Sequence, residues 1–358
     1  MPSTQKALFL EKKFGEFVIR ETGVYTPGPG ELLVKIKSTS LNPADWKIQK
    51  NGILVQEFPA ILGSDIAGDV EEVGEGVKEF KKGDRVFAHG AFEVPWASFQ
   101  QFVLVRAEAT SKIPENVTYD EASSLPVALT TAYVGLYNSN PYGMELSPPT
   151  SGEALNKYSG TPFVVLGASS SVGQVALQLA RISGFSPIIT TASSRHTESL
   201  NSLGATHVLD RNLPRSDLVA EVKRIAGNKT IQYVYDGVST PETQQAGLDI
   251  LAPGGQLVIV LFAAVKIPKD KTVIKVFGRP LAPENVDLVN ELYHNVIYSF
   301  LEKGLIKGNN TEALPDGLAG IPGGLERLAA NQVSGLKLVA HPQETAQSNL
   351  IAGSLNYV

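Results

Sequence analysis

The sequence predicts an α/β protein built from a β-rich N-terminal part and a doubly wound parallel sheet. The first observation is a series of short apolar strands, separated by glycine turns, before residue 120. The second is a regular alternation of predicted strands and helices from Phe163 to Leu261, a pattern typical of a parallel sheet with helices on both faces. The length of 358 residues agrees with two domains.

The N-terminal part is predicted to form a small barrel or sandwich. Its expected strands cover residues 31–38, 66–73, 85–88 and 99–105, each close to a turn. A helical stretch is expected from Tyr119 to Leu136. The prolines and the weak periodicity between Asn138 and Thr161 then predict a long loop.

The second part alternates between strands and helices. Strands are predicted at 163–166, 187–191, 207–209, 232–235 and 256–261, and helices at 172–183, 197–203, 216–226 and 241–251. Beyond them we expect one long helix over 284–304, a helix around 324–331 and a strand at 336–340.

Composition excludes several classes of function. Lys and Arg total 31 against 36 Asp and Glu, and the net charge of −5 with no basic run argues against nucleic-acid binding. The chain has no cysteine, which rules out disulfides, iron–sulfur clusters, cysteine-ligated zinc and a cysteine nucleophile. Neither a signal peptide nor an apolar run long enough to span a membrane is recognisable, so we expect a cytoplasmic protein without membrane contact.

The main chemical motif is a strand, a tight turn and a helix N-terminus between Phe163 and Gln174. Small residues in such a turn let the backbone approach a pyrophosphate, whose charge is stabilised at the helix N-terminus. The usual G-x-G-x-x-G is replaced by Ala168-x-Ser170-x-x-Gly173, which alone would also fit an ordinary turn with serine caps. With the alternating elements that follow, it predicts a dinucleotide site at Gly167, Ser169, Ser170, Ser171 and Val172.

The end of the next strand indicates which dinucleotide binds. A site for NAD usually has Asp or Glu there, whereas this chain has Ser193, Ser194 and Arg195. Hydroxyl and guanidinium donors can bind a 2′-phosphate, so NADP (as NADPH) is favoured over NAD. The alternative is that Ser194 caps a helix and Arg195 is a solvated residue of its first turn.

Together these motifs resemble the medium-chain dehydrogenase/reductase superfamily over nearly the whole chain. The matching segments are Asn42-Pro43-Ala44-Asp45 and residues 62–68, 73–77, 80–86, 123–128, 202–205 and 335–339. The resemblance implies a GroES-like catalytic domain over residues 1–128, a Rossmann NADP-binding domain over 129–283 and a return to the catalytic domain over 284–358.

The chain departs from the zinc alcohol dehydrogenases of this superfamily where they bind metal. They have Gly-His-Glu where this chain has Gly63-Ser64-Asp65, and their cysteine ligands are absent here. The histidines show no ligand spacing, so no metal is expected, and Asp65 is expected to be structural. The chain looks most similar to the zinc-free branch of quinone oxidoreductases and enoyl reductases, in particular to fungal proteins related to trans-acting enoyl reductases and to yeast-type aldehyde reductases.

This resemblance implies hydride transfer from NADPH to the activated C=C bond of an enone, enoyl or quinone acceptor without metal. Lys47 and Thr130 are the candidate catalytic residues. Lys47 would donate a proton or only contact the cofactor, and the hydroxyl of Thr130 or Thr131 would bind the carboxamide or the acceptor carbonyl. The structural alternatives are that Lys47 is only a surface lysine, and that Thr130 and Thr131 are only β-branched residues at a helix N-terminus.

Other contacts are carried over from matching positions of the family. The implied cofactor contacts are Asp45 and Trp46 beside Lys47, Arg211 at the adenine, Val260 and Leu261 beside the nicotinamide, and Leu338 and Val339 from the C-terminal return. Trp46, Phe92, Trp96 and Tyr137 either line an apolar acceptor pocket or belong to the core. Acceptor size would be set by residues 138–161 and 263–283.

Two other functions stay open. They are an NADPH-dependent aldehyde or carbonyl reductase, and an NADPH-binding protein without turnover. The acceptor would be a small molecule with a conjugated carbonyl or a quinone, either free or as a carrier-bound acyl group. The protein would be a monomer or a homodimer, and edge-strand pairing through Gln256 to Leu261 would allow the latter.

Overall fold

The computed structural model describes residues 2–150 and 154–346, and its N-terminal part contains two sheets. The strands are β1 (Thr4–Leu10), β2 (Phe17–Gly23), β3 (Glu31–Ser40), β4 (Ala60–Ile61), β5 (Asp65–Val73), β6 (Arg85–His89), β7 (Phe102–Arg106) and β8 (Thr110–Lys112). In the smaller sheet β1 pairs with β2 and β4. In the larger one β3, β5, β6 and β8 are antiparallel neighbours, and β7 pairs with the first half of β3.

The second part is a six-stranded parallel sheet. Its strands are β9 (Phe163–Leu166), β10 (Ile188–Ala192), β11 (His207–Asp210), β12 (Tyr233–Asp236), β13 (Gln256–Ile259) and β14 (Thr272–Lys275). Their order is β11-β10-β9-β12-β13-β14, with β9 in the centre. The predicted doubly wound sheet is therefore confirmed, and the turn after β9 lies at the carboxyl edge where such folds bind ligands.

Strand β14 corrects the prediction of an edge at Gln256–Leu261. Residues 256–259 pair in parallel with Thr272–Lys275 on one side and with β12 on the other. The prediction that β13 is an edge strand, free to pair with a second chain, is therefore wrong, because both of its sides are occupied. The strand was missed because it has only four residues and follows a polar loop.

The helices flank the parallel sheet and bridge it to the other part. They are α1 (Pro43–Asn51), α2 (Tyr119–Ser123), α3 (Pro126–Tyr137), α4 (Ser171–Ile182), α5 (Thr197–Leu203), α6 (Arg215–Ala226), α7 (Pro241–Ile250), α8 (Val286–Glu291), α9 (Ile297–Glu302) and α10 (Ile321–Ala329). The helical stretch predicted from Tyr119 is interrupted before Pro126, which starts α3. The long helix predicted over 284–304 is α8 and α9 joined by a π-helical segment, Leu292–Val296. No helix in the described part of the chain is long and apolar enough to cross a membrane.

The C-terminal segment returns to the N-terminal sheet. Strand β15 (Thr311–Ala313) pairs with β16 (Lys337–Ala340), and β16 pairs with β3 through Val339 opposite Ser40. The largest buried apolar cluster runs from α3 and α4 to Ala67 and Phe87 of the N-terminal sheet. This continuous core holds the N-terminus of α3 against the ends of β5 and β6, which is where the candidate site lies.

Candidate active site

A buried carboxylate, Asp65 at the start of β5, connects the elements of the site. Its Oδ2 accepts hydrogen bonds from Ser40 Oγ at 2.6 Å and Asn42 Nδ2 at 2.7 Å, and it forms an ion pair with Lys337 Nζ. Its Oδ1 accepts from the backbone N–H of Val127 at 2.8 Å. One side chain thus joins β3, the segment before α1, the N-terminus of α3 and β16. These contacts agree with the expectation that Asp65 is structural.

A cleft of about 970 Å³ opens beside this carboxylate, between the two parts of the molecule. Asn42, Ser64 and His89 lie on one side, and Thr131 of α3 lies on its wall. The segment 277–281, after β14, forms the wall contributed by the parallel-sheet part. The cleft volume is at the upper end of the range for sites that hold drug-sized ligands.

Ser64 is the residue of the cleft with an unsatisfied polar group. It is 2 % exposed, and its hydroxyl has no hydrogen-bond partner among the described residues. The preceding Gly63 has φ +82°, and a Cβ there would lie 2.4 Å from a ring carbon of Phe99, so only glycine fits this turn. A buried hydroxyl without a partner costs about 1–3 kcal/mol, so Ser64 is prepared to bind a polar atom of a ligand.

His89 lines the cleft from the end of β6, and sequence reasoning did not single it out. Its Nδ1 lies 3.0 Å from Thr130 Oγ1, which in turn lies 3.1 Å from the hydroxyl of Tyr293. Burial is the main cause that lowers the pKa of His89 to about 4. The charge of Asp65 raises this pKa, and the charge of Lys337 lowers it further. The ring is therefore neutral at pH 7. Its position follows from the pairing of Asp65 with His89, which no local pattern reveals.

The two threonines of α3 differ in what they contact. Thr130 is fully buried, and its hydroxyl contacts His89 and Tyr293 behind the cleft wall. Thr131 lines the cleft and packs against Gly278, where a Cβ would lie 2.4 Å from Thr131 Oγ1. Successive residues of a helix differ by about 100° in direction, which separates their roles. Thr130 can reach a ligand only through His89.

The residues expected around Lys47 lie on α1. Asp45 is fully buried, and its Oδ2 accepts a hydrogen bond from the N–H of Asn42 at 2.7 Å, closing a capping box at the helix N-terminus. Lys47 is half-buried, burial lowers its pKa, and Nζ lies 5.6 Å from the ring centroid of Trp46. Neither Lys47 nor Trp46 is among the residues that line the cleft.

The turn after β9 has the geometry of an anion site. Gly167 has φ +69°, and a Cβ there would lie 2.1 Å from a methyl group of Val238. The hydroxyl of Ser170 caps α4 by accepting from the N–H of Gly173 at 3.1 Å. Ser169, Ser171 and Val172 are half-buried at this helix N-terminus, and the N–H groups of Ser171 and Val172, the first two residues of α4, have no acceptor within the helix and can bind a pyrophosphate.

Two arginines flank the end of β10. Arg195 is exposed, and its Nε lies 3.2 Å from Nε2 of His196. Arg211, also exposed, is held there by a backbone hydrogen bond of 2.9 Å to Ala192. Burial and the charges of both arginines lower the pKa of His196. Neither guanidinium has a carboxylate partner in the described part of the chain, and Ser193 and Ser194 lie beside them.

The remaining expected cofactor contacts divide into two groups. Val260 is half-buried and Leu261 is 38 % exposed, both directly after β13 at the carboxyl edge of the sheet. Leu338 and Val339 are fully buried in β16, and their carbonyls accept from Leu41 and Leu314. The last two therefore expose no surface to a cofactor. They support β3 instead, because pairing of β16 places them inside the sheet.

The expected acceptor pocket also needs correction. Phe92 and Trp96 line the cleft, but Tyr137 lies in the core, with its hydroxyl 2.7 Å from Ser183 Oγ. Residues 138–150 and 154–161 contribute nothing to the cleft wall; 151–153 lie outside the described residues. Met144 and Leu146 of this loop are buried in the core instead. Among the described residues of the two segments expected to set acceptor size, those that reach the cleft are 277–281, in the segment 263–283.

Comparison with known proteins decides the family. Residues 28–115 match the family described as alcohol dehydrogenase GroES-like domain, and residues 171–289 match the one described as zinc-binding dehydrogenase. A trans-enoyl reductase of Aspergillus japonicus is 31 % identical over 305 residues, which cover 83 % of this chain and 84 % of that protein. The chain belongs to the medium-chain dehydrogenase/reductase superfamily.

Two further similarities concern the same superfamily. A chloroplast envelope quinone oxidoreductase homolog of Arabidopsis thaliana is 38 % identical over 60 % of each chain. The crystal structure of an alcohol dehydrogenase superfamily protein from Novosphingobium aromaticivorans superposes with a TM-score of 0.79 at 26 % identity, covering 94 % of this chain and 98 % of that one. The resemblance to this superfamily and its GroES-like and Rossmann folds are confirmed. Within residues 2–150 and 154–346, no three histidine, aspartate or glutamate side chains are placed to hold a metal ion.

Replacing Asp65 is expected to destabilise the fold strongly. Asp65→Asn leaves the Lys337 ammonium buried without an anion, which should lower the free energy of unfolding by about 3–5 kcal/mol in urea denaturation. The double variant Asp65→Asn with Lys337→Met removes both charges and should recover part of that loss. Lys37→Met, which breaks the exposed pair with Asp69, should change it by less than about 1 kcal/mol. A loss below about 1 kcal/mol for Asp65→Asn would contradict this account.

Asp45 is expected to make stability depend on pH. Burial raises the pKa of Asp45 from its ordinary value of 3.8 to about 7, and its Oδ1 has no hydrogen-bond partner among the described residues. A raised pKa means that the carboxyl group ionises at lower pH in the unfolded chain, so the contribution of Asp45 to stability should fall as pH rises between about 4 and 7.

Asp45→Asn isolates this effect, because an amide oxygen still accepts from Asn42. The measured quantity is the free energy of unfolding of the parent protein minus that of the variant. As pH rises from about 4 to 7, this difference should fall by up to about 1.4 kcal/mol per pH unit. Urea denaturation at several pH values measures it, and the contribution of His89 cancels in the difference. A pH-independent difference would show that Asp45 is ionised throughout.

Proposed function

We propose that the protein is an NADPH-dependent, zinc-independent reductase that transfers hydride to the C=C bond of an enone, enoyl or quinone acceptor. The observation that carries this proposal is the unpartnered hydroxyl of Ser64 in the cleft, at the position of a zinc-ligating histidine in zinc members of the superfamily. The relatives named as trans-enoyl reductase and quinone oxidoreductase homolog support the acceptor class.

The residues present fit a nicotinamide dinucleotide. The turn at Gly167 and the N-terminus of α4 would hold the pyrophosphate, and Ser193, Ser194, Arg195 and Arg211 would hold the 2′-phosphate. Val260 and Leu261 lie at the sheet edge that would face the nicotinamide half. Bound NADPH supplies the hydride, and the chain supplies binding, orientation and the proton.

The chain contributes hydrogen bonds to the oxygen on which negative charge develops. A fixed donor aimed at such an oxygen typically contributes a factor of about 10²–10³ in rate. Ser64 can donate its O–H without first breaking another bond, since it has no partner in the described structure. His89 lines the same cleft, with its Nδ1 at Thr130, and would contact this oxygen or the water that delivers the proton. Lys47, on α1 outside the cleft lining, is assigned to cofactor contact rather than to proton donation.

Product analysis with an α,β-unsaturated aldehyde and NADPH tests the proposal. The saturated aldehyde is expected as product, and Ser64→Ala should lower kcat about 10²-fold, with little change in the KM for NADPH. Ser111→Ala, a buried serine outside the cleft, serves as the control and should leave kcat within about twofold. Formation of the allylic alcohol would instead identify a carbonyl reductase. Binding of NADPH with no product from any conjugated acceptor would favour a binding protein.

Cofactor preference should depend on the two arginines beside β10. The double variant Arg195→Ala, Arg211→Ala removes both guanidinium groups, so the KM for NADPH should rise at least about tenfold while that for NADH stays nearly constant. Steady-state kinetics with each cofactor measures the ratio. Arg20 lies on β2 and is paired with Glu11, so Arg20→Ala is the matched control. An equal change for both cofactors would show that the arginines do not bind the 2′-phosphate.

A further inference from the structure

The cleft wall that the parallel-sheet part contributes, residues 277–281, is held by few of its own side chains. Phe277 and Leu281 are each 44 % exposed, and the side chain of Arg279 is 63 % exposed. Pro280 is buried. We call residues 277–281 the wall segment. Because most of its side chains lie in water, its position depends on hydrogen bonds to its backbone.

Asn285 supplies two such hydrogen bonds. Its Nδ2 donates to the carbonyl of Phe277 and to the carbonyl of Arg279, each at 2.8 Å. Its Oδ1 accepts from Nδ2 of Asn138, the residue that ends α3, also at 2.8 Å. Asn285 is 1 % exposed, so these bonds are shielded from water. We call Asn138 and Asn285 the amide pair, which ties the wall segment to the end of α3.

Asn138 fixes the orientation of the Asn285 amide. Nδ2 of Asn138 also donates to the carbonyl of Glu284 at 2.8 Å, and its Oδ1 accepts from the N–H of Ser139 at 2.8 Å. The reversed amide of Asn285 would place an oxygen against two carbonyls and an NH₂ group against the NH₂ group of Asn138. The network therefore determines that the two donors of Asn285 face the wall segment.

The side chain of Asn285 does not perform the usual task of an asparagine at its position. Asn285 directly precedes α8, and asparagine there normally accepts a hydrogen bond from an N–H of the first helical turn. Here the side chain forms no capping hydrogen bond with α8. The side chain is directed to the wall segment and to Asn138 instead. This use of a preferred capping residue indicates that it stabilises the position of the wall rather than the start of the helix.

The other contacts of the wall segment hold it less firmly. The N–H of Ala282 donates to the carbonyl of Arg279 at 3.3 Å. The guanidinium of Arg279 lies 3.9 Å from Glu93, and both side chains are more than half exposed, so this ion pair contributes little. Gly278 packs closely against Thr131 of α3. That contact limits how near the wall can come to α3, whereas the amide pair keeps the wall from moving away.

We propose that Asn285 is a positioning residue that sets the width of the cleft and thereby the size of acceptor that fits closely between its walls. This inference rests on the proposed function and concerns the specificity of the same site. Without the two bonds from Asn285, the carbonyls of Phe277 and Arg279 would turn toward water, and the wall segment would move outward. A compact acceptor would then lose contact with one wall, whereas a bulky one would still fill the space.

Asn285→Leu tests the proposal, because leucine has a similar volume but neither donates nor accepts a hydrogen bond. The acceptors are conjugated cyclohexenone, which is compact, and benzylideneacetone, which is bulky, each with NADPH. We expect the KM for cyclohexenone to rise about tenfold, since a misfit of one methylene is worth about 10–200-fold. The KM for benzylideneacetone, the KM for NADPH and kcat should each change less than about threefold.

This pattern differs from that of a residue that only stabilises the fold. Loss of folded enzyme lowers the apparent kcat for both acceptors equally and leaves both KM values unchanged. Asn138→Ala keeps the donors of Asn285 but removes the group that orients them, so it should shift the ratio of the two kcat/KM values about threefold in the same direction. It also decides the inference if Asn285→Leu does not fold.

Gln178→Leu is the matched control. Gln178 is also 1 % exposed and also holds a loop, since its Nε2 donates to the carbonyl of Lys307 at 3.2 Å and its Oε1 accepts from the N–H of Lys307 at 2.8 Å. It is not among the residues that line the cleft, and neither is Lys307. The variant should lose stability to urea, yet the ratio of kcat/KM between the two acceptors should stay within about twofold of that of the parent protein.

The outcomes separate the two proposals. Saturated ketones as products, with the ratio unchanged in Asn285→Leu and Asn138→Ala, would overturn the inference and leave the proposed function standing. If neither acceptor is reduced, the proposed function fails, and binding of the same two ketones, measured by isothermal titration calorimetry, decides the inference. The dissociation constant of cyclohexenone should then rise about tenfold in Asn285→Leu, and that of benzylideneacetone should change little. Equal changes for both ketones, or no binding of either, would overturn it.

Discussion

The burial of one negative charge, on Asp65, constrains how the whole site is assembled. A carboxylate buried away from water needs hydrogen-bond donors around it, and here four residues from three separate segments of the chain supply them. The cationic partner, Lys337, is 272 residues away in the sequence. The C-terminal return therefore has to pair with β3 before the site is complete. This requirement links the closure of the sheet to the placement of α3 and of the cleft beside it.

The same carboxylate determines the electrostatics of the cleft. Zinc members of the superfamily have histidine and glutamate where this chain has Ser64 and Asp65, and here a lysine lies against the acid. Asp65 is satisfied by Lys337 and by hydrogen bonds, whereas the hydroxyl of the neighbouring Ser64 has no partner among the described residues. Lys337 also contributes to the lowered pKa of His89, which keeps that ring neutral. The cleft thus presents neutral donors beside a compensated ion pair.

Sequence patterns predicted what local physics determines. The alternating strands and helices, the turn at Gly167 and the start of α3 at Pro126 follow from periodicity and from the backbone properties of glycine and proline. Residues positioned by long-range pairing were not predictable in this way. His89 faces the cleft only because β6 pairs with β5, and Leu338 is buried only because β16 pairs with β3. Thr130 and Thr131 are adjacent in sequence, and only the packing of α3 decides which one reaches the cleft.

The donors available in the cleft are consistent with the proposed conjugated acceptor. A divalent metal stabilises a full negative charge on one oxygen, as alkoxide chemistry requires. The sequence supplies no cysteine and has serine at the position of the ligating histidine, so the cleft offers a hydroxyl and a neutral imidazole in place of those ligands. Such donors stabilise a partial charge better matched to an enolate, in which the charge is already spread between carbon and oxygen. In the proposed reaction, conjugation in the acceptor would therefore supply the stabilisation that this arrangement of residues lacks.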